Sequence, residues 1–377
     1  MNQSVYDENY IDFLKEPLFF GKGRNSQRFD VLKYPFYDNT NDKMLGCYWR
    51  PDEIDVSRDK RDFHQMPQNM KDTYTRVLQK LIFLDSVQGR GMLQTFGNLI
   101  TNPEFENCVT TWQFFEGSIH SRSYTHILRS VYDNPTEIFD ASFDIKQLTS
   151  LAKETSKSYD NCWNQALAYL YETNTNFGNK RIEASEDFKK ALLYLLLEIN
   201  ILEGIRFYSG FATIWSMHYA QGFMERTTKI LQLICRDENL HLQLTQYTLR
   251  LLRDSKEEGF QKLYADLEQW LPSIYEAACE QEFEWIDFLF EGGAFLGMSP
   301  DLAKAYIKYI CNRRLKTLGA EILYPDFIKN PIPWVDSYIN SDANEVLPQE
   351  VEITNYKFDI LNKQIKDSEI EALKKEL

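Results

Sequence analysis

The sequence contains acids and histidines at the spacing with which helices bind metal ions. Glu238 and His241 lie three residues apart in a long helical stretch, so both side chains leave it on nearly one face. Other apolar helical stretches hold a second acid–histidine pair and two single acids: Glu116 with His120, Asp85, and Glu203. Four helices that each direct an acid or imidazole inward are typical of a carboxylate-bridged site for two metal ions. Such a site indicates redox chemistry.

Single acids within this set have a simpler explanation. Asp85 and Glu203 each interrupt an apolar helical run, where a charge is costly unless it is paired or liganded. Taken alone, either acid is more often part of a buried salt bridge, and one Glu-x-x-His pair arises by chance in many helical proteins. Six candidate ligands spread over four helices favour the metal site.

Asp237 is a candidate for a supporting role beside the metals. Its side chain points about 100° round the helix from Glu238, so it is not expected to bind the same two ions. It could instead accept a hydrogen bond from the free nitrogen of a ligand histidine and fix its tautomer. A solvent-exposed aspartate is the alternative.

Tyr124 follows His120 by four residues and therefore shares its helix face. Three apolar residues on facing helices could exclude water from it: Phe207, Phe211 and Ile234. The chain has 22 tyrosines, so a core tyrosine near a histidine is unremarkable on spacing alone.

Helical periodicity extends from about Pro67 to about Leu318. Apolar residues recur at three- and four-residue spacing in seven segments, near 67–100, 103–130, 145–172, 186–218, 225–253, 259–290 and 300–318. The dipeptides Asn102-Pro103, Asn134-Pro135 and Ser299-Pro300 are typical of helix starts. Strand signals are nearly absent, apart from a possible hairpin over 172–183. These patterns predict an all-α helical bundle.

Three regions follow from the change in composition along the chain. Residues 1–65 predict an extended N-terminal arm, 66–335 the helical domain with the metal site, and 336–377 a flexible C-terminal tail. Near the end of the tail, Ser368 and Glu371 fit a capping box, and an apolar stripe follows. We expect the tail to dock on a partner, with a frayed terminus as the alternative.

Bulk composition excludes several classes of partner. The 377 residues are 43% hydrophobic and 14% aromatic, enough for a large core. A formal charge of -14 argues against nucleic-acid binding, because phosphates need the opposite sign. Six scattered cysteines without a C-x-x-C pair favour a reducing compartment. The longest apolar run, 191–197, is too short to cross a membrane, and no signal segment precedes it, so we expect a cytoplasmic protein.

Seven short stretches carry a resemblance to a known family. They run in order along nearly the whole chain: Tyr48-Trp49-Arg50-Pro51-Asp52-Glu53, Leu84-Asp85-Ser86-Val87-Gln88-Gly89-Arg90, Ile119-His120-Ser121-Arg122-Ser123-Tyr124-Thr125-His126, Leu202-Glu203-Gly204-Ile205-Arg206-Phe207-Tyr208, Arg236-Asp237-Glu238-Asn239-Leu240-His241, Asn330-Pro331-Ile332-Pro333-Trp334 and Pro348-Gln349-Glu350-Val351-Glu352. With them the chain resembles the small, radical-generating subunit of class I ribonucleotide reductase, which has a ferritin-like bundle.

The resemblance implies a role for each site residue. The six candidate ligands would hold two metals, typically iron, with manganese or a mixed pair also compatible with these ligands. Dioxygen reacting at the reduced pair would oxidise Tyr124 to a stable radical. Trp49 and Asp237, through His120, would carry an electron between the buried site and the surface. On the tail, Tyr356 with Glu350 nearby would relay the oxidation to a partner.

The implied partner is the larger subunit, which binds and reduces ribonucleotides, and the small subunit is expected to be a homodimer. The absence of a P-loop from this sequence fits that division. Two alternatives remain open on the residues: a bundle oxygenase or oxidase acting on a hydrophobic substrate, and an iron-storage bundle. The first would need a substrate tunnel and the second an assembling shell surface.

One departure from the family pattern concerns Glu116. The family's first pair is normally Glu-x-x-His, but here three residues separate Glu116 from His120. An inserted residue rotates the upstream helix by about 100°. A single-turn π-bulge around 116–119, with Gly117 in its unusual backbone, would absorb the insertion and keep Glu116 as a ligand. Otherwise Glu116 would swing away and leave an open metal position.

Overall fold

The computed structural model describes residues 10–21, 25–175, 183–254 and 259–339, and over these ranges the fold is all-α. The described residues belong to one compact unit. Its α-helices are α1 (Pro35–Gly46), α2 (Ser57–Gln65), α3 (Gln68–Thr95), α4 (Pro103–Phe114), α5 (Ser121–Val131), α6 (Pro135–Ala141), α7 (Lys146–Thr175), α8 (Glu186–Ile201), α9 (Phe207–Gln221), α10 (Glu225–Asp254), α11 (Phe260–Glu268), α12 (Leu271–Leu289), α13 (Pro300–Leu318) and α14 (Asp336–Ile339).

Shorter elements join these helices. In the described ranges 3-10 turns occupy Pro51–Glu53, Gly97–Leu99, Ser142–Asp144 and Pro333–Val335. Two π-helical segments continue an α-helix without a break, at Phe115–His120 between α4 and α5, and at Leu202–Arg206 between α8 and α9. Within the described ranges β structure is limited to two isolated bridges, Phe19 with Ile100 and Phe295 with Met298.

Polar caps set several of the helix starts that the sequence predicts. The Asn102 side chain accepts a hydrogen bond from Phe105 N at the start of α4, and Ser299 accepts one from Leu302 N at the start of α13. These side chains satisfy backbone donors that a first helical turn leaves free. α6 begins at Pro135, as expected.

α3 is the central helix of the bundle. It packs against α7, α4 and α9, while α10 packs against α8 and α9. These helices bury a continuous apolar core that includes Leu78, Leu81 and Leu84 of α3. Acids and histidines that leave α3, α10 and the two π-helical segments are therefore surrounded by apolar side chains.

The predicted all-α ferritin-like fold is confirmed, with more divisions than the periodicity indicates. The segment 103–130 is interrupted by the first π-helix, 186–218 by the second, and 259–290 breaks between α11 and α12. The hairpin expected over 172–183 is wrong for its first residues, because α7 remains helical to Thr175. Residues 176–182 lie outside the described ranges. The boundaries expected at 65 and 335 remain predictions.

The remaining fold expectations concern the tail and the membrane. Residues 340–377, and with them most of the predicted tail, lie outside the described part of the chain. Among the described helices, none combines the length and the apolar character needed to cross a bilayer.

Candidate metal centre

Four parts of the bundle bring the six candidate ligands to one place. Asp85 leaves the middle of α3, Glu238 and His241 leave α10, and the others leave the two π-helical segments. All six side chains are fully buried. They form two overlapping groups whose ligand atoms lie within 4.8 Å of one another: Asp85, Glu116, His120 and Glu238; and Glu116, Glu203, Glu238 and His241. The two groups share two carboxylates.

The shared carboxylates lie between the two imidazoles. His120 Nδ1 is 3.3 Å from Glu116 Oε2 and 3.1 Å from Glu238 Oε1. His241 Nδ1 is 2.9 Å from Glu116 Oε1 and 2.9 Å from Glu238 Oε2. Each acid therefore directs one oxygen towards each histidine. This is the arrangement that two neighbouring cations with bridging carboxylates require.

The outer acids have oxygens that no protein group satisfies. Neither oxygen of Asp85, nor Oε2 of Glu203, has a hydrogen-bond partner among the described residues, although both side chains are fully buried. Buried carboxylate oxygens without donors are costly unless a proton or a cation occupies them. The donor set of four carboxylates and two imidazoles suits iron or manganese. The residues present therefore fit a pair of metal ions.

In the absence of metal, bound protons offset the negative charge of the carboxylates in this cluster. Burial raises the pKa of Asp85 and of Glu203 well above the ordinary values, and neighbouring carboxylates add to the effect. Burial alone would lower the pKa of His120 and His241, but the surrounding carboxylates raise both above the ordinary value. In the metal-free site both histidines and the outer acids therefore keep their protons to a higher pH than the same groups do in water.

Metal binding is therefore expected to release protons, because imidazoles and carboxylates bind cations in their deprotonated forms. The groups concerned have raised pKa values, so they lose their protons more easily as the pH rises, and the apparent metal affinity should increase with pH. Titration calorimetry with Mn²⁺ in two buffers of different ionisation enthalpy would count the protons. A buffer-independent binding heat would contradict the protonation described above.

The extra residue between Glu116 and His120 is absorbed by a π-helix, as the sequence predicts. The segment Phe115–His120 is π-helical, and the Ser121 N–H donates to the carbonyl five residues earlier, at Glu116. Gly89 of α3 permits close approach of this segment, since a Cβ there would lie 3.2 Å from Gly117 N. The predicted π-bulge is confirmed, and the structure places Glu116 among the other acids.

Trp112 holds the Glu116 side chain inside the cluster. Its indole Nε1–H donates to Glu116 Oε1 at 2.9 Å. The same indole stacks on the His241 ring, with centroids 5.1 Å apart. Trp112 lies one helical turn before Glu116, and this spacing is the signal that sequence reasoning overlooked.

Asp237 connects the cluster to Trp49. Asp237 Oδ2 accepts a hydrogen bond from Trp49 Nε1 at 2.8 Å and lies 3.3 Å from His120 Nε2. Arg236 donates to Asp237 Oδ1 at 3.0 Å and to the Cys47 carbonyl at 2.5 Å, which ties α10 to the end of α1. The side chain is buried, so the exposed alternative for Asp237 is wrong. The Arg236 contact was not anticipated.

Tyr124 lies in a dry environment near the cluster. The side chain is fully buried, and its hydroxyl has no hydrogen-bond partner among the described residues. Burial, reinforced by the adjacent Asp85 carboxyl group, raises the pKa of Tyr124 well above its ordinary value, so the group is a neutral phenol. The three expected wall residues are also fully buried: Phe207, Phe211 and Ile234.

A relay of hydrogen bonds to Glu203 was not predicted. Gln88 Nε2 donates to Glu203 Oε1 at 2.6 Å, and the Tyr159 hydroxyl donates to Gln88 Oε1. Gly91 makes room for the phenol, because a Cβ there would lie 2.1 Å from a Tyr159 ring carbon. Gln88 follows Asp85 by three residues, a usable signal, but nothing local in the sequence connects Tyr159 of α7 to the site. Tyr356 and Glu350, the two tail residues of the prediction, lie outside the described residues.

Comparisons with known proteins point to one family. A family model described as "Ribonucleotide reductase, small chain" matches residues 28–331. The ribonucleoside-diphosphate reductase subunit beta of Buchnera aphidicola (subspecies Schizaphis graminum) is 36% identical, over 99% of this chain and 100% of its own. The ribonucleoside-diphosphate reductase 1 subunit beta of Escherichia coli O157:H7 is 36% identical, over 94% of this chain and 95% of its own.

A solved structure extends the likeness to three dimensions. The ribonucleotide reductase R2 subunit from Clostridium botulinum superimposes with a TM-score of 0.75 at 26% identity, over 90% of this chain and 99% of the other. The matched fold, the matched sequence and the buried carboxylate–histidine cluster are consistent with one another. The chain belongs to the ribonucleotide reductase small chain family.

Proposed function

We propose that the chain supplies the radical for ribonucleoside-diphosphate reduction, with Tyr124 as the residue oxidised. The observation that carries the proposal is the position of a dry, unpaired phenol near the double cluster of acids and histidines. A tyrosyl radical persists only where water and reductants are excluded. Tyr124 is fully buried, so the bundle provides that exclusion.

Six residues would hold two metal ions: Asp85, Glu116, His120, Glu203, Glu238 and His241. Iron is the metal we favour, and manganese or a mixed pair accepts the same ligands. When bound, the ions would supply the redox chemistry that uses dioxygen as oxidant. Around them, Trp112 orients Glu116, Gln88 orients Glu203 and Asp237 orients His120. Tyr124 would give up one electron, and its phenol proton with it.

Trp49 and Asp237 would carry an electron between the cluster and the surface. The Trp49 indole, the Asp237 carboxylate and the His120 imidazole form a continuous chain of contacts at 2.8 and 3.3 Å. The Arg236 guanidinium neutralises Asp237 and holds its second oxygen. The carboxylate can therefore keep both rings in a fixed orientation while charge passes between them.

The remaining steps would take place on a larger partner subunit. We propose that the C-terminal tail docks there, with Tyr356 and Glu350 relaying the oxidation to the site of ribonucleotide reduction. The chain would act as a homodimer, with no role for nucleic acid or a membrane. All six cysteines are free thiols, which supports a reducing, cytoplasmic setting.

Truncation after residue 350 separates radical formation from its use. The truncated chain should form the same tyrosyl signal after addition of ferrous iron and oxygen, because every candidate ligand lies before residue 242. It should lose ribonucleotide reduction when mixed with the large subunit. Electron paramagnetic resonance (EPR) and a reduction assay measure the two properties on one sample.

The full-length chain is the control for the truncation. Loss of the radical in the truncated chain would contradict the separation between bundle and tail. The complete absence of a radical in full-length protein, together with turnover of an added hydrocarbon, would replace this function with that of a bundle oxygenase.

A further inference from the structure

A row of aromatic rings leads from the level of the metal centre to the surface. Phe207, Phe211, Trp215 and Tyr219 recur every four residues and so form one stripe along α9. Ring centroids of Phe207 and Phe211 are 5.9 Å apart, and those of Phe211 and Trp215 are 5.6 Å apart. Phe207, Phe211 and Trp215 are fully buried, whereas Tyr219 is 57% exposed.

The inner end of this stripe lies beside the cluster. Gln88 of α3 contacts Glu203, and a Cβ at Gly210 would lie 3.4 Å from Leu81 Cδ2. The chain moves back seven residues along α3, from Gln88 to Leu81, while its neighbour moves forward seven residues, from Glu203 to Gly210. The two helices therefore run antiparallel. Phe207 therefore lies beside the turn of α3 that carries Asp85.

The outer end is completed by the segment that precedes the tail. Trp215 stacks on Tyr338 at 5.5 Å, Tyr338 meets Trp334 edge-on at 5.7 Å, and Trp334 stacks on Tyr219 at 4.7 Å. Trp334 ends the Asn330-Pro331-Ile332-Pro333-Trp334 stretch, for which sequence analysis offers no role. We call Trp215, Tyr338, Trp334 and Tyr219 the aromatic ladder.

The ladder consists of the two side-chain types that release an electron most readily. The Trp215 indole N–H is buried and has no hydrogen-bond partner in the described part of the chain. Oxidation of Trp215 would therefore leave a short-lived cation that takes an electron back from a neighbour. Tyr338 and Trp334 are partly exposed and can exchange electrons with a reagent in solvent.

We propose that the aromatic ladder is a second one-electron route into the bundle, separate from Trp49 and Asp237. A one-electron reductant at the surface gives an electron to the outer rings, which pass it through Trp215 to the oxidised Tyr124. Tyr124 gains that electron and one proton and becomes a phenol again, while the reductant is oxidised by one electron. This inference rests on the proposed function for the identity of the final acceptor.

Packing alone offers the competing explanation, in which Trp334 and Tyr338 only anchor the chain to α9. Conservative variants separate the two. Trp215→Phe and Tyr338→Phe keep an aromatic ring in each place and remove its ease of oxidation. Trp285→Phe is the matched control. Like Trp215, Trp285 is buried and its indole N–H has no hydrogen-bond partner among the described residues, but it is not part of the ladder.

The first experiment uses the full-length, metal-free protein. A ruthenium photo-oxidant attached at Ser337→Cys, an exposed position between Trp334 and Tyr338, takes one electron from the ladder on illumination in a Cys47→Ser background. With Trp334→Phe present in every protein, so that Trp215 is the one tryptophan of the ladder, transient absorption after the flash should detect a short-lived tryptophan radical cation that is lost in Trp215→Phe and kept in Trp285→Phe. A signal unaffected by Trp215→Phe would overturn the proposal.

The second experiment uses the metal-loaded protein carrying the radical. Reduced methyl viologen is added, and decay of the tyrosyl signal is followed by EPR. Decay should slow by an order of magnitude or more in Trp215→Phe and in Tyr338→Phe, but not in Trp285→Phe. Equal decay in all four proteins would also overturn the ladder. If the wild-type chain forms no radical, the proposed function fails. The first experiment, on metal-free protein, would still show whether the aromatic ladder conducts an electron.

Discussion

A chain carrying Tyr124→Phe should bind two metal ions like the wild type and give no tyrosyl radical after ferrous iron and oxygen are added. The substitution removes only a hydroxyl that has no hydrogen-bond partner among the described residues. Losing an unpaired buried hydroxyl is expected to be neutral or stabilising. The six candidate ligands are unchanged, so the effect should be confined to the EPR signal and to activity with the large subunit.

Tyr208→Phe provides the matched control. Tyr208 is also almost fully buried, but its hydroxyl donates to Asn239 Oδ1 at 2.6 Å. Its loss should cost roughly 1 kcal/mol of stability and leave the radical in place. A radical that persists in Tyr124→Phe, or disappears in Tyr208→Phe, would place the unpaired electron on another residue.

Residue types and helical spacing were sufficient to predict the inner part of the site. Glu238 and His241 share a helix face because helical geometry fixes their positions one turn apart. The π-bulge followed from counting residues between Glu116 and His120, since an inserted residue must either rotate the helix or widen one turn. Asp237 was expected to hold a histidine because it points away from Glu238, and it lies 3.3 Å from His120.

Contacts between distant helices could not be predicted in this way. Tyr159 reaches Gln88 only because α7 packs against α3, and no local pattern specifies that pairing. The second π-helix at Leu202–Arg206 had no inserted residue to reveal it. Arg314 of α13 donates to the Gly204 carbonyl within that segment, a contact 110 residues apart in sequence. Tertiary packing therefore determines which residues from other helices hold the site in place, whereas local helical geometry determines its ligands.

Replacing Glu282 with Leu should destabilise the fold by about 3–5 kcal/mol, because it leaves the Lys80 ammonium buried without its partner. Lys80 Nζ is 2.6 Å from Glu282 Oε2, and both side chains are fully buried. Ser209 also donates to Glu282 at 2.8 Å. Denaturant unfolding of the metal-free protein, with and without the substitution, measures the loss.

The double variant Lys80→Met with Glu282→Leu tests whether this loss comes from the stranded charge. Apolar residues of similar size often replace a buried ion pair at little cost or with a gain. The double variant should therefore recover most of the stability lost in Glu282→Leu. A double variant as unstable as the single one would instead attribute the loss to packing.

The pH dependence of stability provides an independent check on Lys80. Burial lowers the pKa of Lys80 from 10.5 to about 8, despite the attraction of Glu282. The unfolded chain keeps this proton up to about pH 10.5, while the folded chain releases it from about pH 8. Between these values the unfolded state binds more protons, so the contribution of Lys80 to the unfolding free energy should rise with pH. Lys80→Met should lack this rise.

Arg206 connects the Lys80–Glu282 ion pair to the metal centre. Arg206 ends the π-helical segment that carries Glu203, and its guanidinium lies 3.8 Å from Glu282 Oε1 and 3.2 Å from Glu198 Oε1. Loss of Glu282 removes one of the two acids that hold this segment. We therefore expect Glu282→Leu to weaken Mn²⁺ binding as well as stability, whereas the outlying Lys60–Asp133 pair, broken by Asp133→Asn, should affect neither. Unchanged Mn²⁺ binding in Glu282→Leu would show that the remaining contacts of this segment, which include Glu198 with Arg206 and Arg314 with Gly204, are sufficient to hold it.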